Sequence, residues 1–167
     1  MGPRGAGKSS VGPFVAARLR LAFLDADAEV ERTSGESVAE LLAAGRFREE
    51  EARTLGRILG GPPAVVAAGG GAVLWDGFPV AAAGWTVVWL DAAPGTLAER
   101  IARDGNPRPS LTGAAPEVEI GRVRAERAPR YEAVSAFRVD TSSLSIAEVS
   151  ERIARSMDVP PPPRGKK

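Results

Sequence analysis

The sequence predicts an α/β fold with a parallel sheet covered by helices on both faces. Three observations carry this. Short apolar runs alternate with longer amphipathic stretches along the 167 residues, and alternating strands and helices are the pattern of a parallel sheet. Three of the four apolar runs are nearly free of polar residues, as strands buried on both faces must be. A glycine-rich turn, Gly2 to Ser9, leads directly into the first helical pattern.

The elements follow in order. A helical pattern runs from Ser9 to Leu21, and Ala22-Phe23-Leu24 reads as a strand. Helical patterns then cover Ser37 to Ala44 and Arg46 to Leu59, before the strand Ala64-Val65-Val66-Ala67-Ala68. Thr86-Val87-Val88-Trp89-Leu90 is the third strand. Pro94 to Arg103 is a helix, with proline in the first turn, where its missing N–H costs nothing. Glu117 to Arg127 is another, ended near Pro129, because an interior proline breaks the backbone ladder. Phe137-Arg138-Val139 is the last strand, and Ile146 to Met157 the last helix. Ser145 with Glu148 three residues later fits a capping box at its start. No internal repeat and no strong boundary divides the chain, so 1–158 reads as one domain. The Pro-rich tail 159–167 can neither form helix nor join a sheet and is expected to be disordered.

Composition removes several kinds of chemistry. There is no cysteine and no histidine. Thiol nucleophiles, disulfides, Cys/His zinc sites and imidazole bases are therefore excluded, and acid–base work falls to Asp and Glu. With 22 Lys+Arg against 21 Asp+Glu, the charge balance gives no reason to expect nucleic acid or a membrane as partner. No basic segment leads into an apolar one at the N-terminus, and no run is long enough to span a bilayer. A soluble, cytoplasmic protein is expected. Only three lysines occur, and Lys8 is the one outside the C-terminal tail.

Lys8 stands in Gly2-Pro3-Arg4-Gly5-Ala6-Gly7-Lys8-Ser9, which has the P-loop spacing of Gly, four residues, Gly, Lys, Ser/Thr. Glycines let backbone N–H groups turn inward around phosphate oxygens. The following helix aims its positive end at the same point. Lys8 can reach the β- and γ-phosphates, and the Ser9 hydroxyl can ligate Mg²⁺. Gly5, Ala6, Gly7, Lys8, Ser9 and Ser10 are thus the expected nucleotide-binding residues. The plain alternative is a chance glycine-rich turn.

Asp25-Ala26-Asp27 follows a strand, at the end of the sheet where ligands bind in open α/β folds. One carboxylate can hold hydrated Mg²⁺, and the other can orient a substrate hydroxyl or accept its proton. The alternative is a pair of acids complementing a helix dipole. Gly69-Gly70-Gly71 also follows a strand and permits close approach to a ligand. Arg48 and Arg127 each read alone as surface charges, and nothing in their spacing aims them at one point. Asp104 to Pro116 is irregular and contains Arg108-Pro109. In a nucleotide kinase it would be a lid whose closure excludes water and brings Arg108 onto the phosphates.

Taken together, these motifs resemble the shikimate kinase family, in order, from Gly2 to about Met157. The resemblance rests on the P-loop, the Asp25/Asp27 pair, Ser34-Gly35-Glu36-Ser37-Val38, Phe47-Arg48 with Glu51, Gly69-Gly70-Gly71, Val87-Val88-Trp89-Leu90, Arg108-Pro109, Arg127-Ala128-Pro129-Arg130-Tyr131 and Val139-Asp140-Thr141. It implies a three-layer P-loop NTPase-like fold with a mobile lid at about 104–116. It implies phosphorylation of the 3-hydroxyl of shikimate by Mg-ATP, in a monomer. By position, Asp27, Arg48, Gly69, Gly70, Gly71 and Arg127 would hold shikimate, the two arginines taking its carboxylate. Lys8, Asp27 and Arg108 would be catalytic. Ser9 and Asp25 would serve Mg²⁺. Arg100 and the Thr141-Ser142-Ser143 loop would lie by adenine.

Three departures stand against the family pattern. The lid reads Arg108-Pro109-Ser110-Leu111 where the family has Arg-Pro-Leu-Leu. Gly121 lies in the helix after the lid, where an apolar helix former is usual. The family's central first strand does not precede the P-loop, since Met1 stands next to Gly2. Two neighbouring strands are then expected to lose a hydrogen-bond partner, and a natural start further upstream is the expectation. A related small-metabolite kinase, such as a gluconate kinase, and a truncated non-catalytic nucleotide binder are the alternatives.

Overall fold

A computed structural model describes residues 1–104 and 115–157 of the chain. The order is α1 (Lys8–Leu19), β1 (Ala22–Asp25), α2 (Ala26–Ser34), α3 (Val38–Ala43), α4 (Phe47–Leu59), β2 (Ala64–Ala67), a 3₁₀ turn (Ala72–Leu74), α5 (Phe78–Ala81), β3 (Val88–Asp91), α6 (Pro94–Arg103), α7 (Pro116–Val134), β4 (Phe137–Asp140) and α8 (Ile146–Met157). All four expected strands form, and α6 and α8 span the predicted residues. The Ser145–Glu148 capping box is present: Ser145 N–H donates to Glu148 Oε2 at 2.8 Å, and Glu148 N–H to Ser145 Oγ at 3.3 Å.

Two differences have local causes. α2 lies where no helix is expected. The Asp25 side chain caps it by accepting from the N–H groups of Asp27 and Ala28, and Gly35 ends it at φ 75°. α7 runs through Pro129 to Val134 instead of ending near Arg127. Tyr131, one half-turn past the proline, is fully buried, and that burial outweighs one lost backbone bond.

The sheet is split, as expected for two strands that lose a hydrogen-bond partner. β1 pairs in parallel with β2, from Ala22↔Ala64 to Asp25↔Ala67. β3 pairs in parallel with β4, from Val88↔Phe137 to Asp91↔Asp140. The two pairs are separate, and a slot lies between β2 and β3. Among the described residues only Met1 enters it as extended backbone: its amine donates to the Val88 carbonyl at 2.9 Å, and Leu90 N–H donates to the Met1 carbonyl at 2.9 Å. Below Met1 a cavity of about 170 Å³ remains, lined by Val15, Leu19, Leu55, Val65, Phe78 and Val87 among others. Burial pushes the Met1 amine down to about 5, so at neutral pH it is an uncharged donor.

Helices cover both faces. Trp89 and Leu90 point to opposite sides of β3. Trp89 joins Leu55, Val73, Phe78 and Tyr131 in one core. Leu90 joins Val11, Val15, Leu97, Val139, Val149 and Ile153 in the other. A smaller cluster of Val30, Val38, Leu41 and Phe47 holds α2, α3 and α4 together. No described helix is long and apolar enough to cross a membrane.

Gly121 lies inside α7, where a Cβ would meet Pro94 carbons at 3.8 Å, an ordinary contact. Gly121→Ala is therefore expected to raise stability by about 0.5–1 kcal/mol through helix propensity alone. Denaturant titration checks this, and a lower midpoint would contradict it.

Candidate active site

The carboxyl ends of β1 and β2 and the loop before α1 open onto one cavity of about 430 Å³. Its walls include Gly5, Ala6, Gly7, Lys8, Ser9, Ser10, Asp25, Asp27, Gly69, Gly70, Arg100 and Thr141. Residues named from distant parts of the sequence thus meet at one place.

The phosphate loop has the backbone its glycines predict. Gly2, Gly5 and Gly7 have φ of 146°, 79° and 88°, conformations that side chains rarely tolerate. Gly7 caps α1, whose N-terminal amides point into the cavity. Lys8 Nζ donates to the Pro3 carbonyl at 2.8 Å, which folds the lysine back across the loop. Ser9 Oγ donates to Asp25 Oδ2 at 2.5 Å. Oδ1 of the same carboxylate caps α2. Asp25 therefore caps α2 with one oxygen and accepts from Ser9 with the other. Ser9 and Asp25 offer Mg²⁺ two hard oxygens beside open cavity, which suits an ion that keeps several waters. Among the described residues, no group of three or more acidic or His/Cys side chains could enclose a metal unaided.

Arg100 lines the cavity and is held there by the loops on either side. Its guanidinium donates to Thr141 Oγ1 at 3.0 Å, to the Thr141 carbonyl at 2.7 Å and to the Gly5 carbonyl at 3.3 Å. It ties the phosphate loop to the loop after β4. The hydroxyl of Thr141, a nearly fully buried residue, lies 3.3 Å from the Ala6 carbonyl and 3.1 Å from the Asp91 carbonyl, between which its one proton is shared.

The glycine turn is where the two arginines converge. Arg127 Nη1 donates to the Gly70 carbonyl at 3.0 Å, and Tyr131 Oη donates to the same oxygen at 2.6 Å. Arg48, from the first turn of α4, lies so close to Gly71 that a Cβ there would collide with its guanidinium. At Gly71 the close neighbour is therefore the Arg48 guanidinium. Asp27 and Glu51 crowd Gly69 from the other side, at 3.2 and 2.6 Å from where its Cβ would stand. Arg127 is partly buried, while Arg48 keeps 45% of its side chain exposed and is paired with Glu51.

Glu51 is the residue that local reading passes over. It is 3% exposed, its Oε2 pairs with Arg48 Nη1, and its Oε1 has no hydrogen-bond partner among the described residues. Burial raises its pKa, and the Asp27 charge adds to that rise, while Arg48 and Arg127 oppose it. The signal for it was an acid three residues after Arg48 on one helix face. Tyr131 was also unassigned; burial pushes its phenol up to about 12, so it is a fixed donor. Arg108 and the central part of the expected lid lie outside the described residues, as does the Pro-rich tail.

A glycine-rich loop at the carboxyl edge of parallel strands, with a lysine, a serine–carboxylate pair and a glycine turn contacted by two arginines, defines a P-loop phosphotransferase. The shikimate kinase family model matches residues 4–158, and the chain belongs to the shikimate kinase family, whose members use ATP as the nucleotide substrate. It is similar to the shikimate kinase of Rhodopirellula baltica, 36% identical over 163 residues, covering 93% of this chain and 87% of the relative. The shikimate kinase of Rhodococcus erythropolis is 36% identical over 154 residues, covering 89% of each. The solved shikimate kinase from Acinetobacter baumannii, in complex with shikimate, superposes with a TM-score of 0.86 at 29% identity, covering 93% of this chain and 89% of that one.

Proposed function

We propose that the protein transfers the γ-phosphoryl group of Mg-ATP to the 3-hydroxyl of shikimate. The observation that carries this is the convergence of Arg48 and Arg127 on Gly70–Gly71, a turn whose Gly69 and Gly70 line the same cavity as the phosphate loop. Two guanidiniums beside one turn suit a planar carboxylate, and Asp27 lines the space between that turn and Lys8.

The roles follow from position. The amides of Gly5 to Ser10 and the end of α1 would hold the phosphates, and Lys8 would stabilise charge on the transferring group. Ser9 and Asp25 would hold Mg²⁺, which supplies charge neutralisation at the phosphate oxygens. Arg48, Arg127 and the Gly69–Gly71 backbone would hold the acid. Asp27 would orient the attacking hydroxyl and take its proton. Arg100 and Thr141 would border the base of the nucleotide, and Arg108, by its place in the sequence, would be the lid arginine. Most of the rate would come from placing acceptor and donor in line. Every role falls within one chain, and a monomer is the assembly expected from the family resemblance.

Thermal shift tests the reading. A nonhydrolysable ATP analogue and shikimate, added separately, are each expected to raise the melting temperature, because each binds only the native state. A shift with nucleotide and none with shikimate would show a nucleotide binder without this acceptor. Gly71→Ala gives a sharper check. Its methyl group would displace Arg48, so shikimate KM is expected to rise about tenfold, or ~1.4 kcal/mol, with the ATP KM unchanged. Equal rises in both would contradict the placement of Arg48.

A further inference from the structure

Asp91, the last residue of β3, is fully buried, and none of the roles above uses it. Arg124 of α7 grips its carboxylate with two parallel bonds, Nε to Oδ1 at 2.8 Å and Nη2 to Oδ2 at 2.6 Å. Arg138 of β4 adds a third contact at 2.7 Å. A bidentate arginine–carboxylate pair fixes direction as well as distance.

The pair matters for what else α7 carries. Arg124, Arg127 and Tyr131 are spaced three and four residues apart, so they share one face of the helix. Arg127 and Tyr131 both end on one atom, the Gly70 carbonyl oxygen. Arg130 also donates to the Val73 carbonyl at 3.2 Å, and Tyr131 stacks on Trp89, so these contacts all hold the C-terminal half of α7. Arg124, one turn nearer the helix start than Arg127, ties the helix to the sheet through the last residue of β3. The Asp91 carbonyl also accepts from Thr141 N–H at 2.7 Å and from the Thr141 hydroxyl at 3.1 Å. The same residue therefore stands between α7 and the Thr141 loop that touches the phosphate loop.

We propose that Arg124 is a positioning residue: through Asp91 it sets the rotation and height of α7 so that Arg127 meets the acceptor's carboxylate. This rests on the reading of Arg127 given above. A guanidinium has five N–H donors, and the Gly70 carbonyl takes one of Arg127's, so its remaining edge is useful only if the helix holds it in line. Arg124 itself touches no substrate.

Steady-state kinetics on the intact chain, Arg124→Met and Arg124→Lys test this, with shikimate and with its methyl ester, which lacks the carboxylate charge. Arg124→Met is expected to raise shikimate KM about tenfold while ATP KM stays within about twofold. The ester's affinity, read as KM or as inhibition constant, should move less than about twofold, so discrimination between acid and ester falls. Arg124→Lys, which keeps the charge and loses the fork, should lie between. Unchanged shikimate KM would overturn the proposal. So would equal losses for acid and ester, which a mere stabilising brace predicts. A parent chain that never turns over shikimate would overturn the function first and this assignment with it, whereas an active parent with an indifferent variant would overturn the assignment alone.

Discussion

Asp27→Asn is expected to lower kcat for shikimate-dependent ADP release by about 10²–10³-fold, within the range a positioned proton acceptor contributes. The residue lies in the first turn of α2, in the cavity wall that also holds Lys8, Ser9 and Gly70. Asparagine keeps its size and its reach but cannot accept a proton. The fold should not suffer. Asp27 and Glu51 both crowd Gly69, and the Asp27 charge helps to raise the Glu51 pKa; removing that charge relieves a repulsion. The variant should therefore melt no lower than the parent, and the binding of ATP analogue should persist. Stopped-assay kinetics beside a melting curve separate the two effects. A variant that keeps kcat within about tenfold would remove Asp27 from the chemistry.

Lengthening the chain ahead of Met1 by four apolar, β-branched residues is expected to raise the melting temperature by about 10 °C or more. The slot between β2 and β3 already accepts one residue of extended backbone, opposite Trp89 and parallel to β3. Added residues would run alongside Val88, Val87 and Thr86, between the apolar side chains of α1 and those of α4 and α5. Each buried aliphatic side chain contributes ~1.5–3 kcal/mol and each ladder bond ~1 kcal/mol, against ~1–2 kcal/mol of backbone ordering per residue. Each net kcal/mol moves the midpoint of a domain this size by roughly 2–4 °C.

The extension also changes pH dependence, with a definite sign. The Met1 amine has an ordinary value of 8.0, and burial lowers it to about 5 in the folded chain. Between those values the unfolded chain holds the extra proton, so stability falls as pH drops from 8 towards 5. In the extended chain that nitrogen is an amide, and this part of the pH dependence should vanish. An unchanged midpoint and an unchanged pH profile would contradict the slot as a strand site.

The sheet, the phosphate loop and the sites of both carboxylates were legible because their signals are local. Apolar runs mark β1 to β4, and the glycine spacing marks the turn before α1. α2 was not legible, since Ala26 to Ser34 has little apolar periodicity and its start depends on the Asp25 side chain turning back on the backbone. The passage of α7 through Pro129 was also hidden, because it depends on Tyr131 finding Gly70, 61 residues away. The convergence of Arg48 and Arg127 has the same character. Each belongs to an ordinary charged helix, and only the packing of α4 and α7 about the Gly69–Gly71 turn brings them together. Family resemblance pointed to both arginines where periodicity could not. Arg124 and Asp91 carried no local signal either, being 33 residues apart and unremarkable alone.

The most direct test is an acceptor panel. Purified chain, Mg-ATP and either shikimate, gluconate or no acceptor are incubated, with ADP and phosphorylated products measured together. The account predicts ADP formed one for one with shikimate 3-phosphate, and no more than background turnover in the other two mixtures. ADP release that ignores shikimate, or a preference for gluconate, would contradict it.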